Sequence, residues 1–431
     1  MRQVSTDSPT YKWLVIALLF AVAALNYADR TAFTAVFPLL KQDLQMSNVG
    51  LAAIGSFFLW SYALSSPLAG FLGDRARRSR LVVWSLTGWS LITGLTGFVT
   101  SANQLLGMRL FLGVAEALYI PAAVALIADY HSEKTRGTAM GIHSTGLYVG
   151  IVGGGTLAGS LGETYGWRSS LFVLAAAGFL LAFACYLFLK DVQEPSSSAG
   201  DFIREPGHPS WRSSLTILFA MPSIVVLLIE AMLISIGVWI FANWLPLYYR
   251  ESFGLTLGAA GFSGTFVVTA GAVLGVIVGG GLSDRAARKK LSHRMLFQAL
   301  FYLLSAPTLL TLLWTKQFVL ITFSIFLFSF LRTVGQCNAN PMICDLLPSR
   351  VRASAFGVIN MLNCLAAGVG VLLTGYLKED YGLGEIFVGV SMIVGLAGVL
   401  LLFGYFSFLE KDLRLRSSRL EGAAAVVGGK C

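Results

Sequence analysis

The sequence predicts an all-α membrane protein: twelve transmembrane helices in two six-helix bundles related by pseudo-symmetry. Three observations carry that prediction. Of the 431 residues, 56% are hydrophobic and only 12% charged, about half the charged fraction of an ordinary soluble domain. Long apolar segments recur along the whole length, and a helix needs about 20 residues to cross a hydrocarbon core of about 30 Å. Paired motifs also return in the second half in the order they take in the first.

The spans fall at approximately 13-36, 49-71, 81-100, 104-128, 137-162, 168-189, 217-248, 256-282, 295-315, 318-345, 354-377 and 385-408. Each must be helical, because lipid offers no partner to open backbone groups. The first is too long for a cleavable signal and carries Asp29 and Arg30, so it is expected to stay as a membrane helix. Between the sixth and seventh runs "KDVQEPSSSAGDFIREPGHPSWRSS", polar and rich in Ser and Pro, which reads as a linker. The expected organisation is an N-terminal six-helix bundle over 1-189, a cytoplasmic linker over 190-214, a C-terminal six-helix bundle over 215-408 and a cytoplasmic tail over 409-431.

The net charge of +9 reports topology rather than a polynucleotide partner. With both termini cytoplasmic, 23 of the 31 Lys and Arg fall in cytoplasmic loops and tails, five fall outside and three lie within helices. That is the positive-inside asymmetry, and it favours contact with anionic lipid. Cys185, Cys337, Cys344 and Cys364 lie within spans and Cys431 ends the chain, without a disulfide framework or a metal-ligand pattern. No metal and no cofactor is expected.

The duplication can be read from spacing. "GFLGDRARRSR" follows the second span and "GGLSDRAARKK" the eighth, each placing Asp-Arg after a Gly at an offset of 210 residues. "DYHSEKTRGTAMG" follows the fourth span and "DLLPSRVRASAFG" the tenth, with Asp, Arg and Gly recurring at an offset of 216.

Six ionisable residues lie within the spans: Asp29, Arg30, Arg109, Glu116, Glu230 and Arg332. At roughly 2.5 to 3.5 kcal/mol per charge at mid-membrane, they must face protein or a water-filled cavity. Arg109 and Glu116 are seven residues apart and so share a helix face, separated by about 10 Å along the axis. Asp29 and Arg30 point about 100° apart, which directs them to partners on neighbouring helices. The offset of 216 carries Glu116 onto Arg332, suggesting a charge pairing that changes between access states. A carboxylate there can load and release a proton as Arg contacts rearrange, and a bound anion competes for the same Arg. The chemistry assigns proton coupling to Asp29 and Glu116 and anion binding to Arg30 and Arg109. The alternative is that these charges are structural ion pairs, a reading that stays open above all for Arg332 and Glu230. Tyr27, Tyr62, His143, Tyr148, Trp239, Asn243, Gln336 and Asn360 suit a cavity wall, although each alone serves equally as glue between helices.

These loops and charges resemble known sequences. "GDRARR" and "SDRAARKK" are similar to the conserved loops of the major facilitator superfamily, over nearly the full length of the chain, with Arg77 where that family usually has Gly. The resemblance implies that fold, alternating access, and a cytoplasmic gate formed by Asp74, Arg75, Arg78, Asp129, Arg136, Asp284, Arg285, Asp345 and Arg352. "NYADR" with "RLFLGVAEALYIPA" resembles the organic anion:cation symporter branch, which carries sugar acids and related carboxylates. There the matching residues serve substrate and proton, implying the same for Asp29, Arg30, Arg109 and Glu116. Residues 116 to 168 also resemble the Spinster-like branch, which moves lysolipids and sphingolipids.

The expected function is therefore proton-coupled symport of a small organic anion by a monomer working by alternating access. The alternatives are Spinster-like lipid transport and a transport-inactive nutrient sensor. No ATP loop, HExxH or GxSxG element occurs, so an enzyme is not expected. The absence of an N-x-[ST] sequon, with short tails, suits a bacterial inner membrane.

Overall fold

Among the described residues, helix occupies most of each of the twelve expected spans. The computed structural model describes residues 10–73, 76–191, 218–347 and 349–414. Most of the expected linker, the tail beyond Arg414, and Asp74 and Arg75 of the expected gate lie outside the described residues. In chain order the helices are α1 (Tyr11–Ala35), α2 (Phe37–Asp43), α3 (Asn48–Gly73), α4 (Arg78–Thr96), α5 (Ala102–Ala117), α6 (Tyr119–Tyr130), α7 (Glu133–Tyr165) and α8 (Trp167–Phe188). There follow α9 (Pro222–Phe253), α10 (Leu257–Lys289), α11 (His293–Ser305), α12 (Thr311–Trp314), α13 (Phe318–Gln336), α14 (Ala339–Leu346), α15 (Ser349–Leu377) and α16 (Leu383–Gly404). Ten spans among the described residues are long and apolar enough to cross a membrane. The other two, α4 and α7, carry the most Gly, Ser and Thr for their length.

Three spans are interrupted near a proline: 295-315 passes through a 3-10 turn at Ala306–Leu310, which includes Pro307, and the fourth and tenth are broken. Pro121 has no N–H to donate to the Ala117 carbonyl, and Pro341 none for Cys337. α5 accordingly ends at Ala117 and α13 at Gln336. The first break falls one residue beyond Glu116.

Chain packing forms two compact units, one of Met1–Phe202 with Val238–Thr269 and Ala367–Ile386, the other of Ile203–Gly237, Ala270–Ala366 and Phe387–Cys431. Each contains a ridge of glycines spaced by four. In the first unit, Gly146, Gly150 and Gly154 of α7 lie against the backbone of α1 at Phe20, Ala24 and Ala28. In the second, Gly271, Gly275 and Gly279 of α10 lie against α13 at Phe326, Phe330 and Val334. Close backbone approach of this kind replaces the hydrophobic drive that lipid removes.

A Cβ at Gly150 meets the Ala24 carbonyl, whereas one at Gly153 meets nothing within 4 Å. Gly150→Ala is therefore expected to cost about 1–3 kcal/mol by overpacking. Thermal unfolding of the purified protein, with Gly153→Ala as an unchanged control, checks this.

Candidate functional site

The first unit gathers all four charges that the sequence singled out on the first and fourth spans. Asp29 and Arg30 on α1 and Arg109 and Glu116 on α5 are each at most 8% exposed. Arg30 Nε donates to Glu116 Oε2 at 2.7 Å. The partner of Arg30 is thus on a neighbouring helix, as the angle between positions 29 and 30 requires. The Arg30 guanidinium also lies 4.7 Å from the Tyr27 ring and 5.0 Å from those of Phe58 and Tyr62. Arg109 donates from Nε to the Ile54 carbonyl at 3.1 Å and lies 4.3 Å from the Phe33 ring and 4.8 Å from that of Phe58. One ring, Phe58, therefore sits between two guanidiniums. Aromatic faces hold buried cations without consuming their N–H donors, which leaves those donors for another acceptor.

The unused valences follow from this. Arg30 Nη2, Arg109 Nη1 and both Asp29 oxygens are buried and have no hydrogen-bond partner among the described residues. Asn26, fully buried, stands beside Glu116. The arrangement combines fork donors suited to a carboxylate with two carboxyl groups suited to a proton.

The other expected cavity residues fare differently. His143 is buried and within 3.0 Å of Tyr119 Oη, which donates its own proton to the Leu19 carbonyl at 2.8 Å. His143 Nε2 must then be the donor to Tyr119. Asn243 donates to the Trp239 carbonyl at 2.8 Å, while its Oδ1 faces Gly55, where a Cβ would collide with it. Tyr148 and Trp239 are half-buried. In the second unit, Arg332 donates to Gln336 Oε1 and, at 3.1 Å, to Thr333 Oγ1, and Asn360 is exposed.

The loops around the Asp-Arg motifs and after α6 and α14 show the duplication in atomic detail. Arg136 donates to the carbonyls of His131 and Ala128, five and eight residues before it. Arg352 donates to the carbonyls of Leu347 and Cys344, again five and eight residues before it. Both arginines cap a helix C-terminus, where cations are favoured. Arg78 pairs with Asp129, and 216 residues on Arg294 pairs with Asp345 at 3.7 Å. Arg294 also holds Asp284 at 3.1 Å, and Arg285 is exposed. Aligning the Asp-Arg loops at an offset of 210 conceals Arg294; carrying Arg78 forward by 216 lands on it.

A second polar set, not anticipated from the sequence, lies at the opposite end of the first unit. Arg250 pairs with Glu163 at 3.7 Å, and Glu163 Oε2 accepts from the Leu257 N–H at 2.9 Å. Lys378 pairs with Glu251 at 3.0 Å, and Glu379 accepts from Asn48 at 3.0 Å. Hydrogen bonds from Arg168 and Trp167 hold the Asp43 carboxyl below its usual range. The signal available was the pairing of opposite charges at the ends of α9 and α15, "YYRES" with "YLKED".

Residues 19–371 match the family model of the Major Facilitator Superfamily. The chain belongs to that family. As a member of the superfamily it is a multi-pass membrane transporter rather than an enzyme. It is 27% identical to the probable galactarate/D-glucarate transporter of Escherichia coli strain K12, over 93% of this chain and 96% of that one. It is 24% identical to a D-galactonate transporter of another Escherichia coli strain, over 91% and 96%. Among solved structures it is similar to a bacterial homologue of the human lysosomal transporter Spinster, crystallised in an inward-facing, unoccupied conformation. That likeness has a TM-score of 0.81 at 20% identity, over 94% of this chain and 99% of that one, and concerns the fold.

Proposed function

We propose that the chain is a proton-coupled symporter of a small sugar acid or related carboxylate, working by alternating access. The observation that carries this reading is the pair of buried guanidiniums, Arg30 and Arg109, whose Nη2 and Nη1 donors have no partner while two carboxyl groups lie beside them. Names of the relatives, which concern galactarate, D-glucarate and D-galactonate, support the substrate class.

In this scheme a proton on Glu116 removes the charge that holds Arg30. The freed guanidinium joins Arg109 in binding the substrate carboxylate, with Tyr27 and Tyr62 as apolar walls and Asp29 as a second proton carrier. Proton and anion thus enter together, because each lowers the cost of the other in a buried site. His143, Tyr148, Trp239, Asn243, Arg332, Gln336 and Asn360 complete the proposed pathway. The cytoplasmic Asp and Arg residues, and at the other end Glu163, Arg250, Glu251 and Lys378, act as alternately closed gates. The two repeats, 1-189 and 215-408, move as six-helix bundles of a monomer in a bacterial inner membrane, with both termini cytoplasmic.

Thermal stabilisation of the purified protein by D-glucarate, D-galactonate, neutral sugars and lysolipids, with Arg109→Ala alongside, tests the substrate class. Stabilisation by a sugar acid that vanishes in Arg109→Ala is expected. Stabilisation by lysolipid alone would overturn it in favour of Spinster-like transport. Binding of a sugar acid without flux into proteoliposomes would point instead to a nutrient sensor.

A further inference from the structure

The second unit holds a buried carboxylate that the scheme above leaves unused. Glu230 on α9 is 1% exposed, eight residues, or about 12 Å, into its helix. Its Oε1 accepts from Tyr302 Oη at 2.7 Å and from Gln298 Nε2 at 3.1 Å, both from α11. Gln298 Nε2 also donates to Tyr302 Oη at 3.1 Å. The titratable or charged groups that face Glu230 are Tyr302 and, from α13, Arg332.

Counting donors against acceptors exposes a deficit. The amide group of Gln298 brings two N–H donors and the Tyr302 hydroxyl one, and all three are spent inside the cluster. Glu230 Oε2 and Gln298 Oε1 remain buried with no partner among the described residues. Two acceptors left over and no donor is a costly arrangement in a dry interior. One proton added to Oε2 turns a surplus acceptor into a donor.

The duplication gives the cluster a counterpart. In the N-terminal repeat Asp29 and Arg30 are on the first helix and Arg109 and Glu116 on the fourth. In the C-terminal repeat the acid, Glu230, is on the first helix, and Arg332 occupies the position of Glu116. Each repeat thus has a buried acid on its first helix, Asp29 or Glu230, and the two differ at the fourth, where Arg332 stands at the count of Glu116.

We propose that Glu230, with Tyr302 and Gln298, is a proton-carrying site of the C-terminal repeat, loaded and emptied during transport in addition to Asp29 and Glu116. The proposal rests on the symport reading above. Binding forms an O–H bond at Oε2 and neutralises the carboxylate; release returns the proton to water and restores the charge beside Arg332.

Two measurements on the full chain in lipid test it. Infrared difference spectra between acid and alkaline pH need no substrate. A carboxylic-acid carbonyl band is expected that Glu230→Gln abolishes, Glu116→Gln keeps, and Tyr302→Phe displaces in frequency through loss of its hydrogen bond. Identical bands in wild type and Glu230→Gln would overturn the proposal, and Tyr302→Phe makes the same assignment should Glu230→Gln fail to fold. Second, the ratio of protons to D-galactonate is read from the membrane potential that stops net flux in proteoliposomes, and Glu230→Gln is expected to lower it by one. An unchanged ratio in Glu230→Gln, with wild type still coupled, defeats this proposal alone. A wild type that moves the anion without protons defeats the symport reading itself.

Discussion

Glu116→Gln protein in proteoliposomes is expected to lose proton-driven accumulation of sugar acid by about 100-fold, while exchange of internal for external sugar acid stays within a few-fold of wild type. The difference comes from what glutamine preserves. Its amide fills the volume of the carboxyl, where Glu116 Oε2 now accepts from Arg30 Nε at 2.7 Å, without the charge that holds Arg30, so the helices keep their packing while Arg30 is released as it is by a proton. It cannot take or release a proton, so the carrier remains in the neutral state that admits substrate. Breaking one side of a buried ion pair is worth about 3–5 kcal/mol, and 1.4 kcal/mol is tenfold. Parallel measurement of driven uptake and counterflow, with thermal unfolding to confirm folding, separates the two activities. Equal loss of both would assign Glu116 to structure rather than to proton transfer.

Arg109→Lys is expected to weaken sugar-acid binding by about 10- to 100-fold. Arg109 already commits Nε to the Ile54 carbonyl and its planar face to Phe33 and Phe58. Only a guanidinium can do this and still present Nη1 to a ligand; an ammonium has no plane to stack and no fork. A hydrogen bond to a charged group contributes about 1.5–3 kcal/mol, which sets the range. Calorimetric titration with D-glucarate measures the change, and unaltered affinity would remove Arg109 from the binding site.

The buried charge cluster of the candidate site was legible in the sequence because charge inside an apolar run is conspicuous, and lipid forbids every placement except the protein interior. That argument located Asp29, Arg30, Arg109 and Glu116 but could not choose the Arg30–Glu116 bond over a contact from Arg30 to Asp29's neighbours, since depth is known from sequence only to within a turn. Arg294 was missed for a different reason. The repeat offset changes from 210 to 216 in the loop after α10, and counting from the Asp-Arg motif places the partner six residues early. The pairs at Glu163 and Glu251 join residues far apart in sequence, and no spacing rule reaches across them. Glycine abundance announced close packing, but which glycines touch backbone, as Gly150 does and Gly153 does not, depends on helix rotation.

The arginine caps show what each repeat supplies to itself. Arg136 and Arg352 bond carbonyls five and eight residues behind them, and Arg78 and Arg294 pair with aspartates of their own repeat. None of these contacts needs the other repeat, so each half holds its own loops. Positions 116 and 332, by contrast, carry Glu and Arg. The loop scaffold is thus the same in both repeats, while the buried chemistry differs between them.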